Sequence, residues 1–300
     1  MPYLNSYTTP PPLAEVEHYA ATAPEAYDLI FVFEVPNEPL ETKGGVRVEP
    51  LIPSLHGPRL FALYQKHPAG FVYLPYGPFP TYTSFLTQLE RTRRDEGTLL
   101  FVVYDLALDL ENDDEDLVEA EKGGRLREER IAGIVGVLRS QEATRSSEVG
   151  HLHIPAPFQR THILTHSITL LLRWLLDAPT PSSSSSSASP LGLRRVQWFS
   201  NALNAPSIAA AKRLGFGLEA EAMQWERILP PHKNEGGVAL PEFLSEERKE
   251  KEMQRGWGRD SALLSMGWDR WECEGRALTD ALVAREVKRR KASEVEGLLF

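Results

Sequence analysis

The stretch Val196-Gln-Trp-Phe-Ser-Asn201-Ala-Leu-Asn204-Ala-Pro206-Ser207-Ile-Ala-Ala-Ala-Lys-Arg-Leu214-Gly215-Phe216 decides how the rest of the chain is read. It reads as a short apolar strand, a polar turn, one capped helix and the strand that follows from Gly217. Asn204 is an N-cap residue, Pro206 sits near the first helical position where its missing N–H costs little, and Gly215 follows as the C′ residue. The alanines, with Ile208 and Leu214, make a slim helix able to lie close to a sheet. Local pattern alone describes an ordinary helix between two strands, so the neighbouring segments must say more.

Toward the C-terminus, Pro230 to Gly258 is charged and Gly-rich at both ends, with a short helix expected around Leu240 to Gln254. Ser261 to Trp268 reads as a last strand and Trp271 to Lys291 as a helix whose basic end compensates the dipole in solvent. Toward the N-terminus, a six-serine run between prolines forms an inserted loop, and Thr161 to Leu176 has the longest helical apolar period. Glu148–Ile154, Ile131–Leu138 and Thr98–Tyr104 are strands. The acid-rich segment from Asp109 to Glu121, followed by Lys122-Gly-Gly-Arg125, is a solvated hairpin loop. Helices are expected over Thr81–Arg94 and about Pro53–His67, with an aromatic, Pro-rich loop Gly70–Pro80 between them. Val46–Ile52 is a strand, and Leu29–Val35, bracketed by Pro36 and Pro39, an edge strand.

This order predicts an α+β (mixed α/β) fold: a mostly antiparallel central sheet with a βαβ crossover and helices on both faces. One domain is expected over 28–291, with a flexible tail 1–27, a C-terminal tail 292–300, and mobile loops at about 107–130 and 178–191.

The chain has 300 residues, a formal net charge of −9 and 42% hydrophobic residues. That charge argues against a broad nucleic-acid or anionic-membrane footprint. The single cysteine, Cys273, excludes an internal disulfide framework and fits a reducing compartment; a helix-packing thiol is expected. No apolar run reaches the roughly 20 residues that a bilayer crossing needs. A cytoplasmic protein, with the nucleus also open to it, is the expectation.

The pattern Asn204-x-x-Ser207-x-x-Ala-x-x-x-Leu214-Gly215-Phe216 resembles the segment that closes the cofactor site in GCN5-related N-acetyltransferases (GNAT), most of all the RimJ/RimL-like ribosomal-protein N-acetyltransferase branch. Val46–Leu51 resembles that branch's entry strand, and His56 with Phe61–Tyr64 its next helix. Phe71–Phe79 resembles its aromatic loop, Glu148-Val-Gly150 its Glu-x-Gly strand, and Gly258–Met266 before Trp268 and Trp271 its closing strand. The resemblance spans about Val46 to Leu282.

It implies an acetyl-CoA-dependent N-acetyltransferase, with an amine acceptor that is either a protein N-terminus or a small molecule, and with no metal. The matching pyrophosphate loop is Gln159-Arg160-Thr161-His162-Ile163-Leu164-Thr165. His162 and Leu164 stand where the family carries glycines, which let backbone approach a phosphate. Either Arg160, Thr161 and His162 compensate with charge-assisted contacts, or the pocket is narrowed and the chain is a catalytically silent binding or interaction module with weakened CoA binding. A backbone N–H on His151 to Ile154, with His153 and Ile154 counted among the cofactor contacts, is expected to face the thioester carbonyl. Glu148 is the first candidate base or amine holder, or else a paired strand-end carboxylate. Asn204 is expected at the pantetheine arm, and Ser207 near the sulfur as thiol-protonating acid or as a hydroxyl satisfying backbone. Glu219 and Glu221 are runner-up bases. Tyr73, Tyr76 and Phe79 are expected as an acceptor wall. His162 and His166 have a metal-ligand spacing without a third ligand, and Trp225, Trp257, Trp268 and Trp271 read as core or lid.

Overall fold

The computed structural model describes residues 20–110, 128–179 and 189–295. The serine run and most of the acidic loop and N-terminal tail lie outside the described residues. The described chain builds one eight-stranded sheet, ordered β1-β2-β3-β5-β6-β7-β9-β8. Its strands are β1 (Leu40–Glu41), β2 (Val46–Pro50), β3 (Leu99–Asp105), β5 (Ile131–Gln141), β6 (Ser146–His153), β7 (Arg195–Asn201), β8 (Gly217–Leu229) and β9 (Trp257–Gly267). A separate short pair joins β4 (Leu108–Asp109) to β10 (Arg290–Lys291). Within the large sheet every neighbouring pair is antiparallel except β6–β7, which flank the crossover helix. The α+β architecture expected from the sequence is the one observed.

Two cores form, one on each face, because β-strand side chains alternate. Leu99, Phe101 and Val103 of β3 point to α3 (His162–Leu176). Val102 and Tyr104 point to α1 (Pro53–Lys66) and α2 (Tyr82–Arg93). Local chemistry sets the helix ends. Thr81 and Ser84 form a reciprocal capping box at α2, and the Thr161 hydroxyl accepts from Ile163 N at α3. Asn204 caps α4 (Ala205–Arg213), and Gly215 leaves it at φ +92. Among the described residues no helix is long and apolar enough to cross a membrane.

Five expectations are corrected. Leu29–Val35 forms no strand: Phe31 packs on Trp174 and only Val32 N reaches across, to Glu96 O. The C-terminal helix does not reach Lys291. It runs through Trp268–Arg270 and a π turn, Trp271–Gly275, into Arg276–Val283, after which Arg290 and Lys291 pair with β4. Ala292 and Val295, expected in a tail, are buried in the larger core. Cys273 is exposed on the π turn rather than packed. The charged segment around 240–254 is helical only over α5, Glu246–Arg255.

Candidate functional site

β6 and β7 part company midway. Their parallel ladder ends at Glu148↔Gln197, while β6 stays with β5 as far as His153↔Ile134 and β7 stays with β9 as far as Asn201↔Ser261. The gap opens a cleft between the two strands. Its walls include the β6 edge from Glu148 to Leu152, Trp198 to Asn201 of β7, Asn204 and Ser207 of α4, and Arg227 and Arg259 from β8 and β9.

Three β-bulges shape this cleft. Arg139, His151 and Trp225 are non-glycine residues at φ +49, +51 and +53, and each sits at a break in strand register. An extra residue bends a strand and re-aims its side chains, and left-handed backbone of this kind clusters at functional sites. The His151 bulge lies on the stretch of β6 that no longer has β7 beside it. The Arg139 bulge brings its guanidinium over the Phe199 ring (5.0 Å) and onto Glu226 (2.7 Å).

Glu148 is 2% exposed on the cleft floor. Arg227 Nη2 donates to both of its oxygens (3.0 and 3.3 Å), and Arg139 stands 3.5 Å away. Burial raises its carboxyl to about 7, although Arg227 and Arg139 pull it down. The Ser207 hydroxyl does not satisfy backbone. It accepts from the Trp198 indole N–H at 3.1 Å, which leaves its own proton free to donate. Asn204 Oδ1 is committed to Ser207 N at 3.2 Å. Asn204→Ala is therefore expected to cost about 1 kcal/mol of stability, read as a lower urea midpoint with unchanged slope.

Tyr73 and Tyr76 line the cleft, but Phe79 stands behind Tyr76 (ring centroids 6.1 Å apart, stacked) and does not reach it. Tyr76 also stacks on His151 and hydrogen-bonds its Nδ1 at 2.9 Å. Burial holds the His151 imidazole at about 4, so it is neutral near pH 7. The His153 ring points away from the cleft, stacked on Phe71 at 4.1 Å and edge-on to Tyr64 at 4.2 Å. Lys233 Nζ donates to Phe71 O and Asn201 Nδ2 to Gly236 O, tying the segment after β8 to the aromatic loop and to β7. Glu219 is not in the cleft. It is paired with Arg195 at 2.6 Å, whose hydrogen bond, with that of Ser265, holds its carboxyl at about 2. Glu221 is exposed on the same strand and also lies outside it.

A second cavity opens at the N-terminus of α3. It is lined by Arg160, Thr161, His162, Thr165, His166 and Arg213, and from the C-terminal segment by the cations Arg285, Lys288 and Arg290 with one acid, Glu286. Of the two residues standing at glycine positions, Leu164 packs against the core. His162 Nε2 turns inward to Gly45 O (3.0 Å) and Asp105 (3.2 Å), so this nitrogen is not presented to a phosphate. Gln159 donates to Ile154 O and braces the loop. His166 Nδ1 bonds the Thr42 hydroxyl at 2.8 Å. Arg290 is held by Asp105 and Pro157 O. A helix N-terminus, capped only at Ile163 N by the Thr161 hydroxyl and flanked by cations, suits a polyphosphate.

Sequence reasoning missed Arg139, Arg227, Arg259 and the 285–290 cations. Bulges and a chain reversal bring them in, and neither has a local signature.

No known family model matches the chain, and no curated protein is similar to it. Solved structures are similar. A probable acetyltransferase of the GNAT family from Chromobacterium violaceum is 22% identical, with a TM-score of 0.56 over 90% of this chain and 100% of that one. A GCN5-related N-acetyltransferase from Brucella melitensis is 21% identical, with a TM-score of 0.57 over 86% and 94%. At such identities the likeness is one of architecture. This chain carries the GCN5-related N-acetyltransferase fold.

Proposed function

We propose that the protein is an acetyl-CoA-dependent N-acetyltransferase, which the motif resemblance relates to the RimJ/RimL-like branch. The observation that carries this reading is the pairing of two clefts along one strand–helix unit. β6 edges the cleft that holds Glu148 and Ser207, and the helix after it opens on a cavity ringed by cations. In this reading Arg160, Arg213, Arg285 and Lys288 meet the phosphates, and the free β6 edge at His151–Ile154 meets the pantetheine arm and the thioester carbonyl. Side-chain cations from the C-terminal segment take over what the missing loop glycines would supply through backbone.

The reaction needs no covalent enzyme intermediate. Glu148 accepts a proton from the acceptor ammonium, directly or through water, and the amine nitrogen then attacks the thioester carbon. Backbone N–H on β6 stabilises the oxyanion. As the C–S bond breaks, Ser207 gives its proton to the leaving thiolate and regains one, through water, from the second proton that the attacking nitrogen sheds as it becomes an amide. The acceptor, protein N-terminus or small molecule, is set by the walls of the cleft rather than by the fold.

The glycine-poor loop favours a second reading, a silent binding module. Acetyl-CoA at 100 times its dissociation constant is expected to stabilise the protein by about 2.7 kcal/mol. A melting curve unmoved by millimolar acetyl-CoA would sink the enzyme reading.

A further inference from the structure

The cleft floor carries more positive charge than its own acids neutralise. Glu148 is engaged by Arg227 and Arg139. Glu226 is engaged by Arg139 (2.7 Å), Arg227 (3.2 Å) and the Ser261 hydroxyl (3.0 Å). Two carboxylates are thus fully occupied with two arginines and a serine. Arg259 is the third cation, and it is left over. It lines the cleft, is 4% exposed, and its Nε is buried without a hydrogen-bond partner. Among the described residues its guanidinium makes neither a hydrogen bond nor an ion pair.

Its placement makes this costly. Arg259 is the direct cross-strand partner of Arg227 on the β8–β9 ladder, and like charges so opposed repel. Glu226 and Glu148 attract it only from a distance, each already held by other arginines, and a buried cation without a contacting counter-ion is strongly unfavourable. The aromatic wall offers nothing to relieve it, since Tyr76 and His151 are satisfied by each other. A small oxyanion entering the cleft would relieve both penalties, and guanidinium presents a planar fork that matches a carboxylate or a phosphate.

We infer that the acceptor is a small amine that also bears a carboxylate or phosphate group, and that Arg259 holds this anion on the cleft floor. The amine half of this inference rests on the acetyl-transfer reading, while the anion half rests on the cleft alone. Arg259 is then a specificity-determining residue: it selects which amine reaches Glu148.

The test uses the full chain and two matched probe pairs, L-alanine with L-alaninamide and O-phosphoethanolamine with ethanolamine. Thiol release from acetyl-CoA is followed for the wild type, Arg259→Met and Arg259→Lys. The anionic member of at least one pair is expected to have a kcat/KM at least tenfold higher. The pair that responds separates carboxylate from phosphate. In Arg259→Met the preference should fall below threefold, and Arg259→Lys should restore part of it. Ligand-free Arg259→Met should melt at the wild-type temperature or above, because it removes an unpaired buried charge; an arginine needed only for structure would lower it. Equal use of both members of both pairs, a preference that survives in Arg259→Met, or a ligand-free melting point clearly below wild type would each overturn the inference. If no amine releases thiol, the acetyl-transfer reading has failed, and binding decides the anion site alone. A melting shift from L-alanine or O-phosphoethanolamine that Arg259→Met abolishes supports the site, and no shift from either overturns it.

Discussion

Replacing Glu148 by glutamine is expected to slow acetyl transfer by about 10²–10⁴-fold, the usual worth of a positioned base, while acetyl-CoA still stabilises the protein. The reason lies in the environment of the carboxyl. Burial lifts it from an ordinary 4.5 to about 7, and the charges of Arg227 and Arg139 keep it from rising further. Such a group is ionised enough at neutral pH to take a proton and basic enough to hold it. The wild-type rate should therefore climb with pH and level off above about 7, and the residual rate of Glu148→Gln should lack that inflection. The sign for stability is opposite. The folded-state pKa lies above the unfolded one, so the favourable contribution of Glu148 is complete below about 4.5 and is lost as pH rises through about 7. Initial rates and urea midpoints between pH 5 and 9 would check both trends. A glutamine variant with the wild-type rate, or with the same inflection, would reduce Glu148 to a paired strand-end carboxylate.

The second large effect is expected at Gly133, in β5 across from the bulged stretch of β6. Its φ is +138, a conformation that side chains avoid, and an added Cβ would lie 2.4 Å from the carbonyl oxygen of His153. That oxygen belongs to backbone and cannot swing aside. Backbone strain of about 1–3 kcal/mol and a comparable cost for overpacking add, so Gly133→Ala should lose about 3 kcal/mol or more. The backbone that must yield is His153–Ile154, the end of the β6 edge proposed to receive the thioester. The variant should therefore respond less to acetyl-CoA even at a temperature where it remains folded. Urea unfolding, followed by acetyl-CoA titration of the folded variant, measures both. A loss below 1 kcal/mol would show that the bulge is not held there.

Much of the fold was legible in the chain because its causes are local. The Asn204 cap and Gly215 mark helix ends through bonds that span only a few residues, and the helices expected from Thr81 and Thr161 start at caps of the same local kind. The alternation along β3 places its two faces against two cores for the same reason. Leu29–Val35 misled because an apolar run has strand propensity whether or not an edge is free to take it. Here Ile30 turns to φ +47, and Phe31 finds Trp174 instead. The basic C-terminal segment misled in a similar way: helical period continued on paper, but Arg290 is drawn to Asp105, 185 residues away, and the segment before it lines the α3 cavity.

The candidate site divides along the same line. Glu148, Asn204 and Ser207 were found because each sits in a short motif with a defined neighbour. The sequence by itself determined most of the sheet's strands, its crossover, and the capped helix whose N-terminal end walls the cleft. Only the tertiary structure decided what surrounds Glu148. Register breaks at Arg139, His151 and Trp225 swing side chains that strict alternation would have placed elsewhere, and they set three arginines against two carboxylates. A one-residue insertion in a strand changes which face every later side chain takes, and whether it forms depends on the partner strand. No periodicity read along a single chain contains that information.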